Sequence, residues 1–144
     1  QQATLLIQQP EFEAAFTNVV DFPIFDFSIY KELENNKRHI LNGDFDVFGD
    51  GSVMILNAPG HTPGHQVLLL RLKNYGPLLL SGDLYHFEKS RELKAIPTFN
   101  IDAAQTLESM VKIEGIIDSE KATLWIEHNL ALAKTLNLAP AFYD

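Results

Sequence analysis

Two of the chain's five histidines lie four residues apart in the stretch NAPGHTPGH, Asn57 to His65, each directly behind a Pro-Gly pair. Proline lacks the N–H that a helix interior needs, and glycine disfavours helix on entropic grounds. His61 and His65 must therefore be presented by a loop. Imidazole so presented can serve as a metal ligand. A carboxylate, Asp83, stands in the run LLLSGD, and a late histidine, His128, closes the run TLWIEH. His61, His128 and Asp83, two imidazoles and a carboxylate, form a borderline donor set suited to zinc. With no cysteine in the sequence, no thiolate joins them. Taken alone, the loop fits a tight turn with two incidental histidines equally well.

The elements that position these residues are legible nearby. Val53 to Leu56 reads as a buried strand and ends before His61. Leu78 to Leu80 reads as another and ends before Asp83, and Thr123 to Ile126 as a third, ending before His128. All three groups thus sit just past the C-terminal end of an apolar strand, where rigid backbone fixes a residue and the following loop exposes it. Gly60 and Gly64 permit unusual backbone angles and close approach, and Pro59 and Pro63 stiffen the loop. In this reading His61 points inward as a ligand and His65, at the start of the next strand, Val67 to Leu72, braces the site.

Elsewhere, Thr4 to Gln8 reads as a short buried strand and Pro10 as the first turn of a helix. Asp21 to Phe27, DFPIFDF, is aromatic-rich and irregular. It fits a surface loop with partly buried rings, a hydrophobic wall over a pocket, or a homodimer contact. Ser28 to Asn36 is a short helical segment. Asp44 to Phe48 alternates as a half-buried strand, and Asp50-Gly51 signals a hairpin. Asp102 to Gln105 has capping-box spacing before a helix that carries Ala103, Leu107, Met110, Val111 and Ile117 on its apolar side. Leu130 to Leu136 closes the chain as a helix, followed by a tail, Pro140 to Asp144, with the look of an anchored end. Trp125 is expected in the core, and Glu11, Glu13, Glu32 and Glu34 on a solvated face. The order is that of an α/β domain, a mixed sheet covered by helices, over residues 1–144.

With 144 residues the chain is long enough for one packed domain, and 46% hydrophobic with 21% charged residues is ordinary for a globular protein. A net charge of −8 argues against nucleic acid and anionic membranes as partners. No apolar run approaches the ~20 residues of a membrane span. The N-terminal stretch lacks the basic region of a signal peptide. The compartment stays open, a soluble cytoplasmic location being favoured. The chain starts without methionine in what reads as mid-strand, and the expectation is that it belongs to a larger protein.

APGHTPGH, the SGD behind three leucines and the late WIEH together resemble the metallo-β-lactamase fold hydrolases. The GHTPGHQ loop and closing strand–His are most similar to the acyl-homoserine lactonases, the quorum-quenching members. The match covers nearly the whole chain. It implies the C-terminal part of an αββα sandwich with two zinc ions at one edge, His61 on the first metal, Asp83 bridging, and His128 on the second. It implies hydrolysis of a lactone or ester by a hydroxide shared between the ions, Asp83 taking up the proton, on a small substrate with an apolar portion. In the lactonases a tyrosine three residues after the bridging aspartate helps hold the substrate carbonyl. Here Tyr85 stands two residues after Asp83 and is the catalytic candidate by that resemblance; by itself it reads as an amphipathic ring at a pocket edge. His86 reads as a surface residue near Glu88 to Arg91, though within reach of the same pocket, and His39 as solvated.

The sequence departs from the family in a further and larger respect. The hallmark HxHxDH motif, which supplies four further ligands ahead of the matched region, does not occur in it. The expectation is that a missing N-terminal segment or partner chain completes the site. Other superfamily chemistries, on phosphotriesters, thioesters or β-lactams, stay open. So do a mononuclear zinc held by His61, Asp83 and His128, and a non-catalytic structural module.

Overall fold

The computed structural model describes residues 3–17 and 25–144. Asp21 to Ile24 of the aromatic segment lie outside them. The chain opens with β1 (Leu5–Gln8), a short helix α1 (Gln9–Phe12) with Pro10 in its first turn, and a π-helical turn (Glu13–Thr17). Then come α2 (Phe27–Tyr30), a 3-10 turn (Lys31–Asn35) and β2 (Arg38–Leu41). β1 and β2 pair in parallel as a two-stranded sheet. β2 has no counterpart among the sequence expectations: its burial runs exposed, exposed, intermediate, buried, too weak an alternation to read.

The second sheet has five strands in the order β3 (Phe45–Asp46), β4 (Val53–Asn57), β5 (Gln66–Leu72), β6 (Gly76–Leu80) and β7 (Thr123–Trp125). Neighbours are antiparallel except β6 and β7, which run parallel. A parallel pair needs a crossover. Here the connection contains α3 (Glu88–Glu92) and the long helix α4 (Ala103–Glu120). α5 (Leu130–Ala133) follows β7 and is shorter than the sequence suggests. The hairpin between β3 and β4 is held by Asp46, whose carboxylate accepts from the N–H groups of Gly49 and Gly51.

α4 starts where its cap specifies, the Asp102 carboxylate accepting from the Gln105 N–H at 2.9 Å. Its inward face differs from the expected one. Met110 and Ile117 are buried, but Leu107 is 41% and Val111 60% exposed, and Thr106 and Ser109 take the inward positions. The first turns of α4 rest on the histidine loop rather than on the sheet. Ser109 donates to the Pro59 carbonyl at 2.7 Å, a contact that leucine cannot make. Further along, Met110, Ile113 and Ile117 meet Val67, Leu69 and Leu79 of β5 and β6 in the main core. Each such side chain contributes roughly 1.5–3 kcal/mol by leaving water. On the other face of the sheet, Leu68 and Leu80 are neighbours in register and only half buried.

Trp125 is only partly buried. It forms an aromatic trio with Tyr75 and Tyr143, ring centroids 4.9–6.0 Å apart. The tail is anchored there, the Asp144 carbonyl accepting from the N–H groups of Asn74 and Tyr75 at 2.7 Å each.

Candidate metal centre

The histidine loop closes the hairpin between β4 and β5, whose last ladder pair is Asn57 and Gln66. Gly60 has φ +130°, and a Cβ there would lie 2.3 Å from the backbone nitrogen of Thr106. Only glycine lets the loop lie this close to the start of α4. The contact is sealed by the Asp102 N–H donating to the Gly60 carbonyl at 2.9 Å and the Ile101 N–H to the His61 carbonyl at 3.2 Å. Behind the loop, Glu11 accepts from the Gly64 N–H at 2.8 Å. Burial raises the Glu11 carboxyl above its ordinary range, against the opposing bonds from Thr62 and Gly64. Glu11 is thus a tether of the loop and not part of a solvated face.

His61 is buried. Its Nδ1–H donates to Asn100 Oδ1 at 3.1 Å, and the Asn100 amide donates in turn to Thr106 Oγ1 at 3.1 Å. This chain fixes the tautomer and leaves the lone pair of Nε2 facing Asp83 Oδ2 across 3.6 Å. His65 does a different job. Its Nδ1–H donates to the Ala58 carbonyl at 3.2 Å, and its Nε2 accepts the backbone N–H of Asp83 at 3.0 Å. Both nitrogens are spent, so His65 braces Asp83 and ligates nothing. Burial, with the nearby His61, pushes its pKa down to about 4 and keeps it the neutral acceptor that this role needs.

Asp83 lies in a 3-10 turn (Gly82–Leu84) directly after β6. Its Oδ1 accepts from His128 Nε2 at 2.7 Å. Burial alone would raise its carboxyl, but the bond from His128 and the facing imidazoles of His61, His128 and His65 outweigh it and hold the group below the usual carboxylate range. His128, on the turn between β7 and α5, is about half exposed. The structure thus brings His61, Asp83 and His128 together, each from the loop expected to carry it.

Two expectations change. His86 is not a free surface residue: its side chain is 15% exposed, and its Nε2 lies 3.9 Å from Asp83 Oδ1. Its ring stacks on His128 with centroids 5.1 Å apart and planes within 4°. Among the described residues, Asp83, His86 and His128 offer ligand atoms all within 4.8 Å of one another. Burial lowers the pKa of His86 despite the neighbouring Asp83.

Tyr85, the expected substrate contact, points its hydroxyl elsewhere. It is 1% exposed, and its hydroxyl donates to Glu114 Oε1 at 2.7 Å. Burial and that bond both raise its pKa far above that of a free phenol. It lines a cleft of about 740 Å³ with Arg91, Glu114 and Leu132, a cleft that none of His61, Asp83, His86 and His128 lines. The reason is local. Asp83 and Tyr85 straddle the end of a 3-10 turn, which sends them to different sides, and Arg91 and Glu114 supply a better polar partner. Asn100, which orients His61, left no signal in the sequence; His86 left one, its position three residues after Asp83.

The arrangement fits a metal. His61 Nε2 and His128 Nε2 lie 3.6 and 2.7 Å from the two Asp83 carboxylate oxygens, so two imidazoles converge on one carboxylate. Imidazole and carboxylate are the donors zinc takes.

No protein-family model matches the chain. Over 98% of its length it is 35% identical to an N-acyl homoserine lactonase, AttM, of Rhizobium radiobacter, and covers 55% of that protein. The chain therefore spans about half the length of the curated relatives it matches. An N-acyl homoserine lactone hydrolase solved with N-hexanoyl-L-homoserine at its catalytic metal centre superposes with TM-score 0.81, at 24% identity, covering 99% of this chain and 53% of that one. AidC, a dizinc quorum-quenching lactonase, gives 0.56 at 16% identity, over 83% of this chain and 46% of that one. No described helix is long and apolar enough to cross a membrane. In sequence over nearly its whole length the chain is similar to N-acyl homoserine lactonases, and in fold it is an α/β sandwich of the metallo-β-lactamase type.

Proposed function

We propose that this chain carries part of the metal centre of a zinc-dependent hydrolase that opens lactones, of the acyl-homoserine type. The observation that carries the reading is the disposition of Asp83. One of its oxygens faces His61 Nε2 at 3.6 Å, and the other faces His128 Nε2 at 2.7 Å. A carboxylate so placed suits bridging two ions, with His61 on one and His128 on the other. Relatives named as N-acyl homoserine lactonases support the substrate class. In this reading residues 1–144 form a single domain, the C-terminal portion of the αββα sandwich. The remaining ligands come from a segment or partner chain outside this sequence.

Zinc bound there supplies a water of lowered pKa and a Lewis-acid contact for a carbonyl oxygen. The chain's own groups supply position and proton transfer. Asn100 holds the His61 ring with Nε2 presented. His65 holds the backbone of Asp83, so the carboxylate is aimed before substrate arrives. As water adds to the lactone carbonyl carbon, a carboxylate oxygen of Asp83 takes the proton that leaves it. When the ring C–O bond breaks, Asp83 returns that proton to the departing alkoxide, giving the open hydroxy acid. Phe99, 48% exposed and set edge-on to His61 and His86, offers an aromatic surface to an apolar acyl portion.

The test joins this chain to a segment that carries the HxHxDH ligands, reconstitutes the product with zinc, and follows acid release from N-hexanoyl-homoserine lactone. The expected result is near two zinc ions per molecule, with lactone opening that chelation abolishes. Full zinc loading without opening of any acyl-homoserine lactone refutes the substrate class. Failure to take up zinc refutes the metalloenzyme reading as a whole.

A further inference from the structure

We infer that His86 is a positioning residue for His128: its ring is the flat wall on which the His128 ring is stacked, so that His128 Nε2 is presented to a metal ion. The inference rests on the metal reading above and deepens it, since that reading leaves open what orients His128.

The two proposed imidazole ligands are held differently. A ligand imidazole is ordinarily oriented by a hydrogen bond at its other nitrogen. His61 has one, from Nδ1–H to Asn100 Oδ1 at 3.1 Å. Among the described residues, Nδ1 of His128 has no such partner. Its hydrogen bond is made by Nε2, to Asp83 Oδ1 at 2.7 Å, and Nε2 is the nitrogen an ion would take. The side chain is 51% exposed, so little of the surrounding protein confines it. What remains to fix the ring is its face. The His86 ring lies parallel to it, with centroids 5.1 Å apart and planes within 4°. Flat π-rings attract one another in offset stacks at centroid separations of about 4.5–7 Å. The stack thus takes up, before any ion arrives, rotamer freedom that an exposed histidine would otherwise lose on binding.

His86 can act as a wall because it is itself held. Its side chain is 15% exposed, and Phe99 and His61 pack against it with centroids 5.4 and 5.8 Å away. The preceding residue, Tyr85, is buried and anchored through its hydroxyl to Glu114 at 2.7 Å, which pins the backbone beside His86.

The parallel geometry also separates this role from ligation. An imidazole lone pair lies in the plane of its ring. Two stacked parallel rings therefore cannot aim their lone pairs at one ion, and an ion in the plane of His128 stands off the plane of His86. The distances agree: His86 Nε2 lies 3.9 Å from Asp83 Oδ1, against 2.7 Å for His128 Nε2.

Two variants separate the plane of the ring from its nitrogens. His86→Ala removes both, and His86→Phe keeps the plane alone. The joined protein is titrated with zinc against a chromophoric chelator, and NOEs between the ring protons of His86 and His128 are recorded on the metal-free 144-residue chain. Ring-to-ring NOEs are expected in the wild type. His86→Ala should loosen one of the two zinc ions about tenfold, as losing a group that orients a ligand does, and His86→Phe should restore most of that affinity. Absence of the NOEs in the wild type overturns the stack, however the variants fold. A His86→Phe as weak as His86→Ala overturns it in favour of a contact through nitrogen, and full affinity in His86→Ala overturns it outright. These three outcomes leave the metalloenzyme reading standing. A joined protein that takes up no zinc refutes that reading, and this inference with it.

Discussion

The backbone N–H of Asp83 donates to His65 Nε2 over 3.0 Å, tying the carboxylate loop to the histidine loop. Neither residue needs the other's charge for this; the bond requires a neutral imidazole with its proton on Nδ1. The second histidine of the Pro-Gly repeat is thus a strut. His65→Ala should leave the fold intact and weaken zinc binding 10–100-fold, the range typical for losing a group that orients a ligand. Chelator competition beside circular dichroism checks this, and unchanged affinity would contradict the strut.

Gly82 makes that contact sterically possible. It has φ +49°, and a Cβ on it would lie 2.8 Å from His65 Nε2. Gly82→Ala is expected to lose about 1–3 kcal/mol in urea unfolding through backbone strain, with zinc affinity falling alongside because His65 is displaced. Loss of stability with full zinc affinity would separate the two effects and argue against the coupling.

Tyr85 and the metal centre should be independent. Tyr85→Phe removes one hydrogen bond to Glu114, which keeps its pair of bonds to Arg91 at 2.7 and 2.6 Å. A cost of about 1 kcal/mol is expected, with zinc binding and lactone opening in the joined protein unchanged. A large fall in kcat at constant stability would restore Tyr85 as a catalytic residue.

The same cluster makes a pH prediction. The bonds from Arg91 hold the Glu114 carboxyl below its ordinary value, against the opposing effect of burial. A depressed carboxylate contributes stability above its unfolded pKa, and that contribution is lost as pH falls through the folded one. Glu114→Gln should therefore flatten the decline in thermal midpoint on the acid side of about pH 4.3. An unaltered acid limb would show that the pair contributes nothing, as exposed pairs often do.

Among the proposed ligands, His61→Ala and His128→Ala should each cut zinc content and lactone opening in the joined protein. His39→Ala should not: that ring is exposed on β2, edge-on to Phe45. Equal activity in all three variants would remove the metal assignment.

By itself the sequence determined which loops carry the candidate site. β6 ends at Leu80 as read, β4 and β7 end within one residue of their reading, at Asn57 and Trp125, and His61, Asp83 and His128 follow them, because burial and turn propensity are local properties of the chain. The hairpin at Asp50-Gly51 and the Asp102 cap are local in the same sense. What the side chains do with one another was decided only by tertiary structure. His86 enters the site because the crossover through α4 sets β7 beside β6, bringing in a histidine 45 residues from Asp83 for it to stack against. Tyr85 leaves because Glu114, 29 residues away, captures its hydroxyl. α4 turns Thr106 and Ser109 inward because its first turns meet a polar loop rather than a sheet. Asn100 orients His61 across 39 residues with no pattern to announce it. Each is a partnership between distant segments, and spacing along a chain does not encode which polar atoms meet once the strands are in register.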